Sequence, residues 1–224
     1  MQKDTGKNAS GGAGTDLLEG AYALKTPEDN REYYQHFAAT YDRDFAAGLG
    51  YIYPKAVADA FLDLTDLPDG PVCDIGCGTG LVARHLKAKR TDMEIDGVDI
   101  SADMLAVAAD KSLYQSLYEV DLTDDITSLP SGYAAIISAG TFTHGHLGPE
   151  PLRNLIRHCQ AGGVFCIGVN KQHYQTHDFA LYLGSLVADN VITSPDLLET
   201  AIYKRKAEKH SGDLALICQF RVVG

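Results

Sequence analysis

The nine residues Val72-Cys73-Asp74-Ile75-Gly76-Cys77-Gly78-Thr79-Gly80 constrain the fold more than any other part of the chain. An apolar run ends in an acid, and glycine then recurs at every second position. Leu81-Val82-Ala83-Arg84-His85-Leu86 follows as a helix-compatible segment. The pattern reads as a buried strand, a tight turn and a helix N-terminus. A turn built on glycines brings backbone N–H groups to a ligand with no Cβ in the way. A dinucleotide fingerprint has the spacing G-x-G-x-x-G, but here Leu81 follows Gly80 and the third glycine comes one residue early.

The alternation continues beyond the turn. Short apolar runs suited to strands fall near 72–75, 94–99, 116–121, 133–139 and 163–169, with helical segments near 80–89, 102–110 and 150–160. Strands joined by helix-length crossovers imply an α/β fold, a mostly parallel sheet wound on both faces. The C-terminus departs from this rhythm. Thr193-Ser194-Pro195-Asp196 is expected to cap a short helix. Runs near 201–209 and 213–222, joined at Ser211-Gly212, are expected to form a hairpin that adds an antiparallel strand.

Ahead of the turn, residues 1–20 are small and polar and are expected to form a disordered tail. Residues 21–224 are expected to form one domain, with a helical part over 21–68 and the α/β core over 69–224. Thr26-Pro27-Glu28-Asp29 predicts a capped helix start, and Tyr33, Phe37, Tyr41 and Phe45 make an aromatic stripe at helical spacing. A second helix is predicted from near Pro54, burying Val57, Ala58, Phe61, Leu62 and Leu64.

A formal net charge of −11 over 224 residues argues against a large phosphate-binding surface, and so against nucleic acid as a partner. No apolar run is long enough to span a membrane. The cysteines Cys73, Cys77, Cys159, Cys166 and Cys218 are odd in number and lack zinc spacing; they read as small buried hydrophobes in a reducing cytoplasm. His144 and His146 form an H-x-H pair with no carboxylate or cysteine at defined spacing, so no metal is expected.

Open parallel sheets bind ligands beyond the carboxyl ends of their strands, where strand order reverses. The residues ending each strand are therefore the candidates. Asp99 lies 23 residues after Gly76, close to the ~20-residue interval at which an acid accepts hydrogen bonds from ribose hydroxyls. As a strand-end acid facing a cleft, it is expected to contribute little to the stability of the unliganded fold. Asp121-Leu122 suits an adenine pocket, the acid accepting from the exocyclic amine and the leucine covering the ring. The fourth strand opens into the 139–147 loop, Ala139-Gly140-Thr141-Phe142-Thr143-His144-Gly145-His146-Leu147, which carries two histidines and two hydroxyls toward the cleft.

Taken in order, these motifs resemble those of the class I S-adenosylmethionine-dependent methyltransferases over about residues 30–222. More narrowly, Tyr34, Tyr41-Asp42 and the segment from Gly140 to His146 resemble the subgroup containing the Williams-Beuren-syndrome-region methyltransferase. The sequence departs from the family where Gln160-Ala161 replaces the common Lys-Pro before Gly162-Gly163, and at Tyr133-Ala134-Ala135. The resemblance implies a Rossmann-like, seven-stranded sheet with an antiparallel C-terminal strand and a lid made by the N-terminal helices. It implies S-adenosylmethionine as donor, S-adenosylhomocysteine as product, and no metal. The donor site it implies comprises Tyr34, Tyr41, Asp74, Gly76, Cys77, Gly78, Gly80, Asp99, Ile100, Met104, Asp121, Leu122, Ser138 and Ala139. His144, His146 and Tyr34 are the candidate bases on the acceptor side. The expected acceptor is a small molecule, and the expected assembly a monomer or homodimer. Two other readings stay open. One is a non-catalytic protein that binds S-adenosylmethionine; the other is a nicotinamide-dependent oxidoreductase, against which the glycine spacing counts.

Overall fold

In the computed structural model, residues 19–21, 24, 26–124, 126–143, 146–204 and 212–224 are described. Residues 1–18 of the tail expected over 1–20, His144 and the 205–209 part of the expected hairpin lie outside these residues; Glu19 and Gly20, expected in that tail, are helical instead. Ahead of the glycine turn lie the helices α1 (Pro27–Gln35) and α2 (Tyr53–Leu62). Thr26 caps α1 as its sequence predicts: its Oγ1 accepts from Asp29 N at 3.1 Å, and Asp29 Oδ2 accepts from Thr26 N at 3.0 Å. The aromatic stripe does not ride on one continuous helix. After Gln35 the backbone passes through a 3₁₀ turn (Ala38–Thr40) and a π-helical turn (Asp42–Ala47). The rings still meet, with Tyr33–Phe37 centroids 4.8 Å apart and Tyr41–Phe45 stacked at 4.9 Å. Ring packing therefore overrides the helical repeat here.

The core begins with β1 (Val72–Ile75), α3 (Leu81–Lys87), β2 (Ile95–Asp99), α4 (Ala102–Asp110) and β3 (Ser116–Glu119). It continues with β4 (Tyr133–Phe142), α5 (Leu152–Ile156), β5 (Cys159–Asn170), α6 (Lys171–Thr176), α7 (Phe179–Ala188), β6 (Asp196–Ala201) and β7 (Leu214–Arg221). The strands form one sheet in the order β3-β2-β1-β4-β5-β7-β6. The first five pair in parallel, and β7 runs antiparallel to both β5 and β6. The chain fills the sheet outward from β1 to β3 and then crosses to β4, so strand order reverses between β1 and β4.

Both faces of the sheet are covered. Ile136 and Phe165 belong to one apolar cluster, while their neighbours Ile137 and Cys166 belong to the other. Period-two alternation sends successive side chains to opposite faces, and burial of both makes the strand a continuous apolar run. Each fully buried isoleucine contributes about 2 kcal/mol relative to exposure.

Two expectations at the C-terminus need correction. Residues 193–196 do not start a helix: Thr193 bonds to Arg221 in both directions, and β6 begins at Asp196. Thr-Ser-Pro-Asp serves a helix cap and a turn into a strand alike, and proline is tolerated at the start of an edge strand. The free edge of β7 takes a partner here. Consequently the strand paired with β7 is 196–201, not 201–209. The helix expected over 150–160 is also shorter, since β5 already starts at Cys159.

Candidate active site

One cavity of about 380 Å³ opens at the carboxyl ends of β1, β2, β3, β4 and β5, where the strand order reverses. The glycine turn forms its floor. Gly76, Gly78 and Gly80 all have positive φ, at 62°, 53° and 89°, in the region where L-residues with a Cβ are disfavoured. Their surroundings differ. A Cβ on Gly76 would lie 1.9 Å from Thr141 Oγ1, so this glycine lets the turn pack against the β4 exit. A Cβ on Gly78 would meet nothing within 4 Å, and Gly78 lines the cavity. Gly80 is the residue from which α3 springs, behind the cavity wall, under the ring of Tyr114.

The acids that end β2 and β3 stand beside this floor. Asp99 Oδ2 accepts from Gly78 N at 2.7 Å and Oδ1 from Ser101 N at 2.9 Å, while burial pushes its pKa upward against those bonds. Asp121 Oδ1 accepts from Thr123 N and Oγ1 at 2.9 and 2.6 Å, and its Oδ2 lies 3.4 Å from Arg31 Nη2 on α1. Asp74 sits lower, fully buried, and accepts from the Tyr114 hydroxyl at 2.8 Å. Burial pushes Asp74 up to about 7, with the Tyr114 bond opposing and the Asp99 charge adding.

That shift has a sign for stability. Between the ordinary 3.8 and about 7 the folded chain keeps a proton on Asp74 that the unfolded chain has released. The contribution of Asp74 is therefore fully favourable at acid pH and is lost as pH rises through about 7, by up to about 4 kcal/mol. Asp74→Asn is expected to flatten the fall in unfolding free energy between pH 5 and pH 8. Urea melts at the two pH values check this, and an unchanged fall would remove the argument.

The N-terminal segment forms the roof. Tyr34, Tyr41 and Phe45 line the cavity with Tyr51, Tyr53 and Tyr203. Burial raises the Tyr34 phenol well above its usual range, with Tyr51, Asp99 and Tyr33 adding. Asp42 anchors the segment to the floor. It accepts from Thr79 Oγ1 and from Lys111 Nζ, both at 2.5 Å, and Lys111 also donates to Thr79 O at 2.6 Å. On the far side, β4 and β5 supply Ala139, Gly140, Thr141 and Asn170, and the segment after β4 supplies His146. His146 Nδ1 lies 3.2 Å from Gly140 O, and burial lowers its pKa to about 4.

Of the residues expected from sequence, Tyr34, Tyr41, Gly76, Cys77, Gly78, Asp99, Ile100, Met104, Asp121, Leu122, Ala139 and His146 share this lining. Asp74, Gly80 and Ser138 stand behind it. Ser138 is fully buried, its Oγ 2.8 Å from both Ile75 O and Thr141 Oγ1, so it fastens β4 to β1. Asn170 was not anticipated, although it ends β5 as the other candidates end their strands. Tyr51, Tyr53 and Tyr203 carry no local signal and meet only through tertiary packing, Tyr51 bridging to Tyr203. Among the described residues there is no group of three or more His, Cys, Asp or Glu able to hold a metal, and no helix long and apolar enough to cross a membrane.

Comparisons with known proteins agree with this geometry. The family profile described as "Methyltransferase domain" matches residues 72–163. Human methyltransferase-like protein 27 is 30% identical over 156 residues, covering 67% of this chain and 61% of that protein. Demethylmenaquinone methyltransferase of Thermotoga maritima is 30% identical over 139 residues, covering 61% and 57%. Ribosomal RNA small subunit methyltransferase C of Pseudomonas paraeruginosa is 34% identical over 117 residues, covering 48% and 34%. The chain thus spans about three fifths of the first of these and a third of the last. Among solved structures, the [4+2]-cyclase SpnF superposes with a TM-score of 0.64 at 16% identity, covering 90% of this chain and 98% of that one. Haemonchus contortus phosphoethanolamine N-methyltransferase 2, solved with S-adenosylhomocysteine, gives 0.59 at 14%, covering 88% and 59%. Identities this low show the fold alone. With its glycine turn, its strand-end acids and these relatives, the chain belongs to the class I S-adenosylmethionine-dependent methyltransferases.

Proposed function

We propose that the protein moves the methyl group of S-adenosylmethionine to a small-molecule acceptor inside the roofed cavity. The observation that carries this reading is the cradle at Gly78: a left-handed glycine open to the cavity, next to Asp99, with Asp121 in the same lining. These residues fit the donor. Gly78 lets an adenosine moiety approach the backbone, Asp99 accepts from its ribose hydroxyls, and Asp121 with Leu122 and Met104 encloses its base. The donor supplies an already activated methyl group, so the chain's own work is positioning and exclusion of water. Tyr34, Tyr41 and Phe45 close the roof over the reacting end. His146 takes the acceptor's proton where that acceptor carries one. The net charge of −11 and the roof over the cavity favour a small acceptor over nucleic acid.

The test is calorimetry with S-adenosylmethionine, S-adenosylhomocysteine and NADH. The first two are expected to bind at about −7 to −8 kcal/mol, in the low-micromolar range, and NADH not to bind. NADH binding without adenosylmethionine binding overturns the reading. Binding without methyl release across a panel of acceptors would leave a donor-binding protein that is not an enzyme, since a fold hosts more than one activity.

A further inference from the structure

His146 is held on both sides. Its own Nδ1 lies 3.2 Å from Gly140 O, and the next residue's carbonyl, Leu147 O, lies 2.8 Å from His173 Nε2. His173 is in turn fixed by Asn170, whose Oδ1 accepts from His173 N at 3.1 Å at the start of α6. A backbone carbonyl only accepts, so Nδ1 of His146 must carry the ring proton. Nε2 is then a bare lone pair. It is buried and has no hydrogen-bond partner. A buried acceptor left in that condition is destabilising, and only a donor relieves it. A ligand carboxylate would set lone pair against lone pair; a ligand O–H would not.

The rest of the lining gives the shape of the molecule that carries this O–H. Tyr41 stacks on Phe45 at 4.9 Å, Tyr51 lies 5.5 Å from Phe45, and Tyr203 lies 5.6 Å from Tyr51. These rings make a continuous aromatic wall in the same cavity as His146. Aromatic walls favour flat partners, which stack or meet them edge to face.

We infer that the methyl acceptor is an uncharged aromatic hydroxyl compound that lies against this wall and donates its O–H to His146 Nε2. The inference rests on the methyl-transfer reading above and narrows it. In the transfer, an oxygen lone pair forms the new bond to the methyl carbon. The carbon–sulfur bond breaks with its electron pair going to sulfur, which turns from sulfonium to thioether. The hydroxyl proton passes to His146 Nε2 and from there to solvent.

Three probes sharing one ring system test this on the full chain saturated with S-adenosylhomocysteine: 2-naphthol, 2-naphthoate and 2-methoxynaphthalene. 2-Naphthol is expected to bind about tenfold or more tightly than the other two, as one added hydrogen bond at a buried acceptor gives. In His146→Phe that preference disappears, while His146→Gln, which keeps an accepting oxygen, retains part of it. Nitrogen-15 NMR of the histidines supplies a second readout, placing the His146 proton on Nδ1 without ligand and shifting Nε2 when 2-naphthol is added. Equal or tighter binding of 2-naphthoate, or a proton resident on Nε2, overturns the inference while S-adenosylhomocysteine still binds. Failure of S-adenosylhomocysteine itself to bind strikes instead at the methyl-transfer reading.

Discussion

Alanine at Gly78 is expected to leave a folded protein that has lost its donor, whereas alanine at Gly76 is expected to damage the fold itself. At Gly78 the new Cβ meets nothing within 4 Å, so the fold bears only the strain of a φ of 53°, about 1–2 kcal/mol. The methyl group stands where the ligand must touch the backbone, and affinity falls by about a hundredfold or more, roughly 3 kcal/mol. At Gly76 the Cβ would come within 1.9 Å of Thr141 Oγ1 and 2.9 Å of Thr141 Cβ. Thr141 cannot yield freely, since its hydroxyl donates to Ile75 O at 3.0 Å and lies 2.8 Å from Ser138 Oγ. Loss of about 3 kcal/mol of stability follows from such overpacking. Thermal melts paired with calorimetry separate the two outcomes. Donor affinity of Gly78→Ala within threefold of the parent chain would show that the turn does not face the ligand.

Asp99→Ala is expected to have the second-largest effect, and on two quantities together. Donor binding weakens by about 1.5–3 kcal/mol, the worth of hydrogen bonds to a charged group. Unlike the expectation from sequence, the unliganded fold also suffers. Asp99 is no idle acid at a cleft edge, because its two oxygens hold Gly78 N and Ser101 N at 2.7 and 2.9 Å. Their loss leaves two backbone donors short of a partner, at about 1–3 kcal/mol each where water cannot replace it. Asp99→Asn keeps one accepting oxygen and is expected to fall between the two. Chemical unfolding of the unliganded variants reads the first loss and calorimetry the second. An Asp99→Ala protein with parental stability would mean that the carboxylate does not order the turn.

How far the sequence reaches depends on the range of the interactions involved. β1, its turn and the capped start of α1 were readable because each rests on neighbours: alternate glycines, Thr26 with Asp29, apolar runs between breakers. The parallel order followed from the helix-length crossovers. Residues ending the strands could be placed on one rim because strand ends share it by construction. Asn170 obeys the same rule at β5, but it is an amide and not an acid, and no glycine turn follows it. The tyrosines at 51, 53 and 203 were not readable, since the aromatic wall joins segments about 150 residues apart in the chain. The same limit hid β6. A Thr-Ser-Pro-Asp tetrad states that a new element begins, and only the open edge of β7 decides that it is a strand.

Two of the roof's fastenings among the described residues are unequal. Asp42 is tied to Thr79 and Lys111 by short, partly buried bonds, whereas α1 reaches the floor through Arg31 and Asp121 at 3.4 Å, with the arginine 39% exposed. An exposed pair of that kind contributes about 0–1 kcal/mol. Between the two fastenings lies the stretch where the helix changes its repeat. The arrangement is that of a door hung on Asp42 and latched at Arg31, with Tyr34 on the swinging leaf and Tyr41 and Phe45 on the jamb. Because the latch closes on Asp121, which lines the cavity itself, whatever occupies that end is felt by the door: a ligand that engages Asp121 competes with Arg31 for the same carboxylate.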